Sequence, residues 1–461
     1  MAFPAPSALF VAAIAIASAS DKFTNGIRRH LEQSGSVPAV IVSFKKSHQE
    51  VLASVPDINS ATSRGAHIAS IRQALVAHAK TSHSDVLAAL HAFESTTETT
   101  LTFDSLWASN VVYITNPSES LLNTLAAIPS VDKIRPAVTA HLPPIKIEQE
   151  SASSPHANEW GVDVIGAANV WASGNKGKGV VVGGIDTGVR GTHEALKTNF
   201  RADHGWFDPY HNNTAPVDVA GHGSHTMGTS VGTTGVGVAP EASWIACLGC
   251  DDQDCPEYAL LKCGEFMLCP TDVNGNNPDC TKAAHVVNNS WGSNDASDTF
   301  YDATIAAWRK ANIIPVFANG NAGPKCSTTD AIASFSSRGP APDGRIKPDI
   351  SAPGQSIRSS VPTSDTSYAV YSGTSMATPH VTGAVALILA AKPGVTYDQI
   401  YKAFISTTDT ASLTPTNQTC GGVSELQYPN NVYGYGRLNI ERAIASLSSS
   451  TPSPTTTKPA C

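Results

Sequence analysis

Long basic runs are missing from this 461-residue chain, and charged residues make up only 15% of it with a net charge of −8. That balance excludes a nucleic-acid surface of the usual kind. Long apolar runs are also scarce. The one near the start, Leu9 to Ala17, is too short to span a bilayer and is followed by Ala17-Ser18-Ala19, a small-x-small cleavage pattern. It is expected to be a signal peptide (1–19) on a secreted protein, although its n-region has no Lys or Arg. Cysteine is absent from residues 20–150, which also lack glycine-rich turns. Histidine is absent from the cysteine cluster Cys247, Cys250, Cys255, Cys263, Cys269 and Cys280. In a secreted chain that pattern indicates disulfides rather than zinc. Nine cysteines leave at least one without a partner in the chain, with Cys461 the first candidate.

The chain divides by texture. In 20–150, "VPAVIVSF" (37–44), "NVVYIT" (110–115) and "VDKIRPAV" (131–138) read as strands. Helical spacing marks "ASIRQALVAHA" (69–79), "SDVLAALHAF" (84–93) and "SESLLNTLAAI" (118–128). This small α+β unit ends in "HLPPIKIEQESASSPH" (141–156), read as an exposed linker open to cleavage. In 151–445, short apolar runs such as "GVVVGGID" (179–186), "SWIACL" (243–248), "HVVNNS" (285–290) and "NIIPVFAN" (312–319) alternate with helical stretches. That pattern predicts an α/β domain with a doubly wound, mostly parallel sheet, function gathering at the strands' carboxyl ends. The Ser/Thr/Pro-rich end, 446–461, is expected to be a solvated tail.

Three polar residues sit where such a sheet would expose them. Asp186 ends an apolar run before Thr187-Gly188, and taken alone reads as well as a turn former. His222 lies in "GHGSHTMG"; with His225 it suggests a metal pair only weakly, because no third ligand follows at suitable spacing. Ser375, in "YSGTSMATPHVTGAVALILA", stands at the start of a slim apolar helix, as a cap or as a nucleophile, with Pro379 expected in the first turn. A serine hydroxyl needs a base, and the base needs a buried carboxylate to hold one tautomer. Asp, His and Ser in that order meet the requirement, and Asn321 in "NGNAG" adds an amide donor for an oxyanion. A lipase elbow is not supported: Gly373-Thr374-Ser375-Met376-Ala377 lacks its last glycine, and the chain order is wrong for it.

"VVGGIDTGV", "GHGSHTMGT", "ANGNAGP" and "SGTSMATPHVTG" resemble the four signature segments of the subtilisin-like serine protease family, in the family's order. "WGVDVIGAANVW" and "GWFDPY" lean towards its bacillopeptidase-like branch. The resemblance implies a serine endopeptidase acting through an acyl-enzyme. Asp186 would orient, His222 would be base then acid, Ser375 the nucleophile, and Asn321 with the Ser375 N–H the oxyanion donors. His225 would be structural, and Ser290-Trp291-Gly292 would pair with a bound peptide. Residues 20–150 would be a ferredoxin-like prodomain that inhibits the enzyme until cut within 141–156. Protein or peptide substrates, a monomer, no membrane and no required cofactor are implied. Calcium stays open with no site assigned, since "TSVGTTGVGVAP" (229–240) lacks the family's calcium insertion.

One departure bears on activity. "GNAGPKCSTTDAIASFSSRGP" (320–340) passes almost directly from the asparagine turn to "ASFSSRGP". The family places a pocket-lining loop and a buried strand between these points. Loss of that strand is expected to leave backbone groups unpaired, at about 1–3 kcal/mol each if buried. The alternative reading is therefore an inactive relative, a binding scaffold or mis-spliced product with a segment lost near 325–330.

Overall fold

The computed structural model describes residues 21–449, apart from 47, 59–61, 149–157, 296, 324–331 and 416–417. The signal segment, most of the tail, Cys326 and Cys461 lie outside the described residues. The chain forms two compact units, one of Met1–Thr139, Pro256–Cys269 and Thr299–Ala311, the other of Ala140–Cys255, Pro270–Asp298 and Asn312–Cys461.

In the first unit, β1 (Ala39–Phe44), β2 (Thr102–Leu106), β3 (Val111–Thr115) and β4 (Val131–Pro136) form an antiparallel sheet in the order β2-β3-β1-β4. Alternate residues Val40, Val42, Val112, Ile114 and Ile134 face one core together with Leu121, Leu122 and Leu125 of the Glu119–Ala127 helix. Ser118 caps that helix by accepting the Leu121 N–H. The two helices expected at 69–79 and 84–93 are one, Arg64–Thr97. The polar stretch between them does not break it. Thr81 and Ser84 bond back to carbonyls of their own helix, and buried His83 meets Ser105 Oγ at 2.7 Å and Asn110 Oδ1 at 3.1 Å. The Glu257–Leu268 helix adds Glu257, buried and bidentate to Arg135, which also accepts the Val138 N–H.

This unit holds buried histidines that lie near one another. Burial holds His48 at about 4, against a weaker opposing effect of the Ala108 backbone and a small lowering by His78. Burial also holds His83 at about 4 and lowers His78, against the opposing effect of a hydrogen bond to the Lys46 backbone. Unfolded imidazoles protonate near 6.5, so this contribution to stability is whole above pH 6.5 and is lost as pH falls towards 4. Glu265 works the other way: burial pushes it up to about 7, so its cost is largest above that pH and is relieved on acidification. In the uncut Ser375→Ala chain, thermal unfolding followed by circular dichroism should show Tm falling between pH 6.5 and 4. His48→Leu should remove part of that fall, about 1.4 kcal/mol per pH unit for one histidine.

The second unit is built on five parallel strands. They are β7 (Val181–Asp186), β8 (Trp206–Phe207), β9 (Ser243–Leu248), β11 (Val286–Asn289) and β12 (Ile314–Phe317), in the order β12-β11-β7-β9-β8. The Val- and Ile-rich runs form strands that bury Val182, Trp244, Val286 and Ile314 in one core with the Thr374–Ala391 helix. By length and composition that helix could cross a membrane, but 78% of it is buried inside the protein. Gly383 lets it approach its neighbour, because a Cβ there would stand 2.5 Å from Val238 Cβ and 2.8 Å from Ser230 O. The α/β, mostly parallel reading is borne out. So is the disulfide reading: all six cysteines of the cluster are disulfide-bonded, Cys250 to Cys255 among them.

Two expectations need correcting. Part of the supposed linker is structured: β6 (Lys146–Glu148) pairs antiparallel with β14 (Tyr368–Ser372), which pairs with β13 (Ile357–Ser360). At the other end, the Ile440–Ser449 helix runs into the start of the expected tail. Among the described residues no strand lies between β12 and β13, so β12 ends its sheet. The cost expected there is softened. β12 is only partly buried, and its Pro315 has no N–H to leave unpaired.

Candidate active site

Asp186 is the last residue of β7, buried among the parallel strand ends. Its Oδ1 accepts the Thr187 N–H at 2.8 Å and His222 Nδ1–H at 2.7 Å, while Oδ2 accepts Thr226 Oγ1–H at 3.2 Å. The carboxylate is therefore fixed, and it fixes the imidazole. With the proton on Nδ1, the neutral ring turns a lone pair outward at Nε2, which is buried and has no hydrogen-bond partner.

His222 opens the His222–Val231 helix, and Gly223 allows that helix to reach the strand end. A Cβ on Gly223 would lie 2.0 Å from Gly188 O and 3.1 Å from Asp186 Cβ. Burial works to lower the His222 pKa. The charge and hydrogen bond of Asp186, with the charge of Asp218 behind them, outweigh it and leave the pKa raised. His225, one turn on, is the structural histidine expected. Its Nε2 bonds the carbonyls of Ile357 and Ala369, its ring stacks on Tyr371, and burial above all holds it at about 3.

Ser375 is fully buried and is the second residue of the Thr374–Ala391 helix, not its cap; Gly373 holds that place. Pro379 lies beyond the first turn, so the Ser375 carbonyl lacks its usual partner four residues on. Ser290 supplies one: its hydroxyl donates to Ser375 O at 3.0 Å, and Ser375 Oγ–H donates to Ser290 O at 3.3 Å. In this state the Ser375 hydroxyl is turned to Ser290 rather than to His222. The helices bearing Ser375 and His222 pack directly on each other.

Asn321 is aimed by its neighbours. Its Oδ1 accepts from Thr374 N at 2.8 Å and Thr374 Oγ1 at 2.7 Å, which leaves Nδ2 free to donate forward. It donates, at 2.8 Å, to the carbonyl of Pro144. Residues on both sides of Pro144 are gripped by backbone. In β5 (Thr139–His141), His141 exchanges two hydrogen bonds with Gly292, at 2.8 and 3.0 Å, and beyond Ile145, Lys146 stands opposite Ser372. A peptide thus runs past Ser375 with one carbonyl on the Asn321 amide. Ser290-Trp291-Gly292 contributes through Gly292 to that grip, while Ser290 and Trp291 are buried.

Several contributors escaped the sequence reading. Partly buried Asp218 accepts from Thr187 Oγ1 at 2.7 Å, Gly221 N at 2.7 Å and Ser224 N at 2.8 Å, tying the Asp186 strand end to the start of the His222 helix. Burial pushes its carboxyl up. An Asp shortly before a glycine and a helix is a capping signal, and that was the available clue. Thr374 is the residue just before Ser375. Among the described residues no group of three or more His, Cys, Asp and Glu could hold a metal ion.

Residues 177–332 and 325–436 match the Subtilase family. The chain belongs to that family. The two matched stretches of this subtilase meet at 325–332, where the sequence passes straight from the asparagine turn to "ASFSSRGP". It is 34% identical over 376 residues to Bacillopeptidase F of Bacillus subtilis, covering 72% of this chain and 25% of that protein. Thermitase of Thermoactinomyces vulgaris is 30% identical over 289 residues, 58% of this chain and 94% of that one. The solved structure of fervidolysin from Fervidobacterium pennivorans, a keratinolytic enzyme related to subtilisin, superposes with a TM-score of 0.57 at 19% identity. That superposition covers 92% of this chain and 62% of fervidolysin, and it bears on the fold. The chain spans a quarter of the length of Bacillopeptidase F.

Proposed function

We propose that this subtilase is a secreted serine endopeptidase made as a zymogen, with Asp186, His222 and Ser375 as its triad. The observation that carries the reading is the Pro144 carbonyl on Asn321 Nδ2, in a peptide gripped on both sides of Pro144. Attack needs the Ser375 hydroxyl to turn from Ser290 to His222 Nε2, which takes its proton as Oγ bonds to the carbonyl carbon. The oxyanion so formed is held by Asn321 Nδ2 and the Ser375 N–H, at the positive end of a helix. His222 then returns the proton to the leaving nitrogen as the C–N bond breaks, and water releases the acyl group by the same path. Substrates are proteins or peptides that lie extended along Ser290-Trp291-Gly292.

On this reading the bond cut in processing is Pro144–Ile145, so that of residues 20–150 the stretch 20–144 leaves as the inhibitory prodomain, while 145–150 stays with 151–445, the body of the catalytic domain. The chain acts as a monomer and requires no cofactor. The inert-scaffold alternative is not favoured. It rests on the absence, among the described residues, of a strand between β12 and β13, whereas the Asp186–His222 bond and the anchoring of Asn321 by Thr374 are both intact.

Two measurements test the proposal. Edman sequencing of the processed protein should begin at Ile145; a chain that is never cut in 141–156 contradicts the zymogen reading. Asn321→Ala should lower kcat on a peptide by about 10²–10³ while leaving KM nearly unchanged, the loss typical of one oxyanion donor. A variant with unaltered kcat would exclude Asn321 from that role.

A further inference from the structure

We propose that Asp254, on the loop closed by the Cys250–Cys255 disulfide, makes this subtilase favour a cationic side chain three residues before the carbonyl it attacks. The inference rests on the reading above, with Pro144 supplying that carbonyl. His141 is the residue three places earlier. Its backbone is paired with Gly292, and the next residue, Leu142, donates its N–H to Gln253 O at 3.0 Å. A chain held between these two edges has little freedom in where its side chains point. The His141 side chain meets the loop, Nδ1 donating to Asp254 Oδ1 at 2.9 Å.

The loop is built to hold that carboxylate still. Asp251 and Asp254 exchange backbone hydrogen bonds, the disulfide joins the residues just outside them, and the Gly249 and Cys250 N–H groups donate to Asp186 O. Asp251 and Asp252 are exposed on the same loop, and no Lys or Arg occurs from Gly249 to Pro256, so the local field is negative. Among the described residues His141 is the one hydrogen-bond partner of the Asp254 carboxylate, so a substrate side chain in its place would displace no other. A lysine or arginine at the His141 position would carry a full charge to it. Both side chains of the present pair are about half exposed, 42% and 65%, which keeps the expected preference modest.

The test uses processed enzyme and three peptides with Pro at the scissile carbonyl, differing only in Lys, Leu or Glu three residues before it. Lys should exceed Glu in kcat/KM about two- to five-fold at low salt, mostly through KM. The ratio should approach one in Asp254→Asn and in about 1 M salt, and should invert in Asp254→Lys. An equal ratio in the unaltered enzyme and Asp254→Asn overturns the proposal. Labelling Ser375 with a fluorophosphonate in the same preparations separates the two levels. Labelled enzyme without the charge preference overturns the role of Asp254 alone, and unlabelled enzyme overturns the protease reading with it.

Discussion

Ser375→Ala will leave the chain uncut between Pro144 and Ile145 and will lower peptide hydrolysis on the order of 10⁶-fold in kcat. The size follows from what is removed. The other hydroxyl at the head of the Thr374–Ala391 helix, that of Thr374, is already donated to Asn321 Oδ1 at 2.7 Å, which leaves the Ser375 hydroxyl for the base at His222. The variant should fold. The Ser375 hydroxyl makes one hydrogen bond, at 3.3 Å, and the backbone carbonyl that accepts from Ser290 is retained. Gel analysis of the expressed chain and a peptide assay read the two effects together. A variant that still cuts itself would show that another group is the nucleophile.

Asp186→Asn comes next, with an expected loss of about 10⁴ in kcat. The amide is the same size and its oxygen can still accept from Thr226 Oγ1, so the fold should hold although the Thr187 N–H loses its acceptor. An amide N–H turned to His222 would instead ask Nδ1 to accept, which moves the proton to Nε2 and removes the lone pair that serves Ser375. A second readout distinguishes this from simple damage. Asp186 is the main group raising the His222 pKa. Without it burial dominates and the pKa falls, so the acid limb of residual kcat/KM should move to lower pH. A loss of activity with no movement of the limb would point to misfolding.

How far such a site can be read from letters depends on whether its contacts are local. β7, β9, β11 and β12 were legible because each is a short apolar run followed closely by a glycine, aspartate or asparagine, the mark of strands in a mostly buried parallel sheet. Asp186 and His222 were legible for the same reason, since each sits at an element's end in a glycine-rich turn. β2, "TFDSL", was not: it is half exposed and mixes polar with apolar residues. The unbroken Arg64–Thr97 helix was hidden because its polar middle is satisfied by Ser105 and Asn110, which the local sequence does not reveal. Most of what escaped is long-range. The seating of 141–148 beside Gly292, Asn321 and β14 joins residues more than 140 positions apart, and Pro-Pro read locally as a linker. Ser290's bond to the Ser375 carbonyl follows from Pro379, yet only the assembled helix shows that the proline lies past the first turn.

The most direct check is stoichiometric reaction with a fluorophosphonate, followed by mass spectrometry of the peptide containing Ser375. A single adduct on Ser375, formed by the unaltered enzyme and lost in His222→Ala, is the result expected. No adduct, or one that forms equally well without the imidazole, would contradict the assignment.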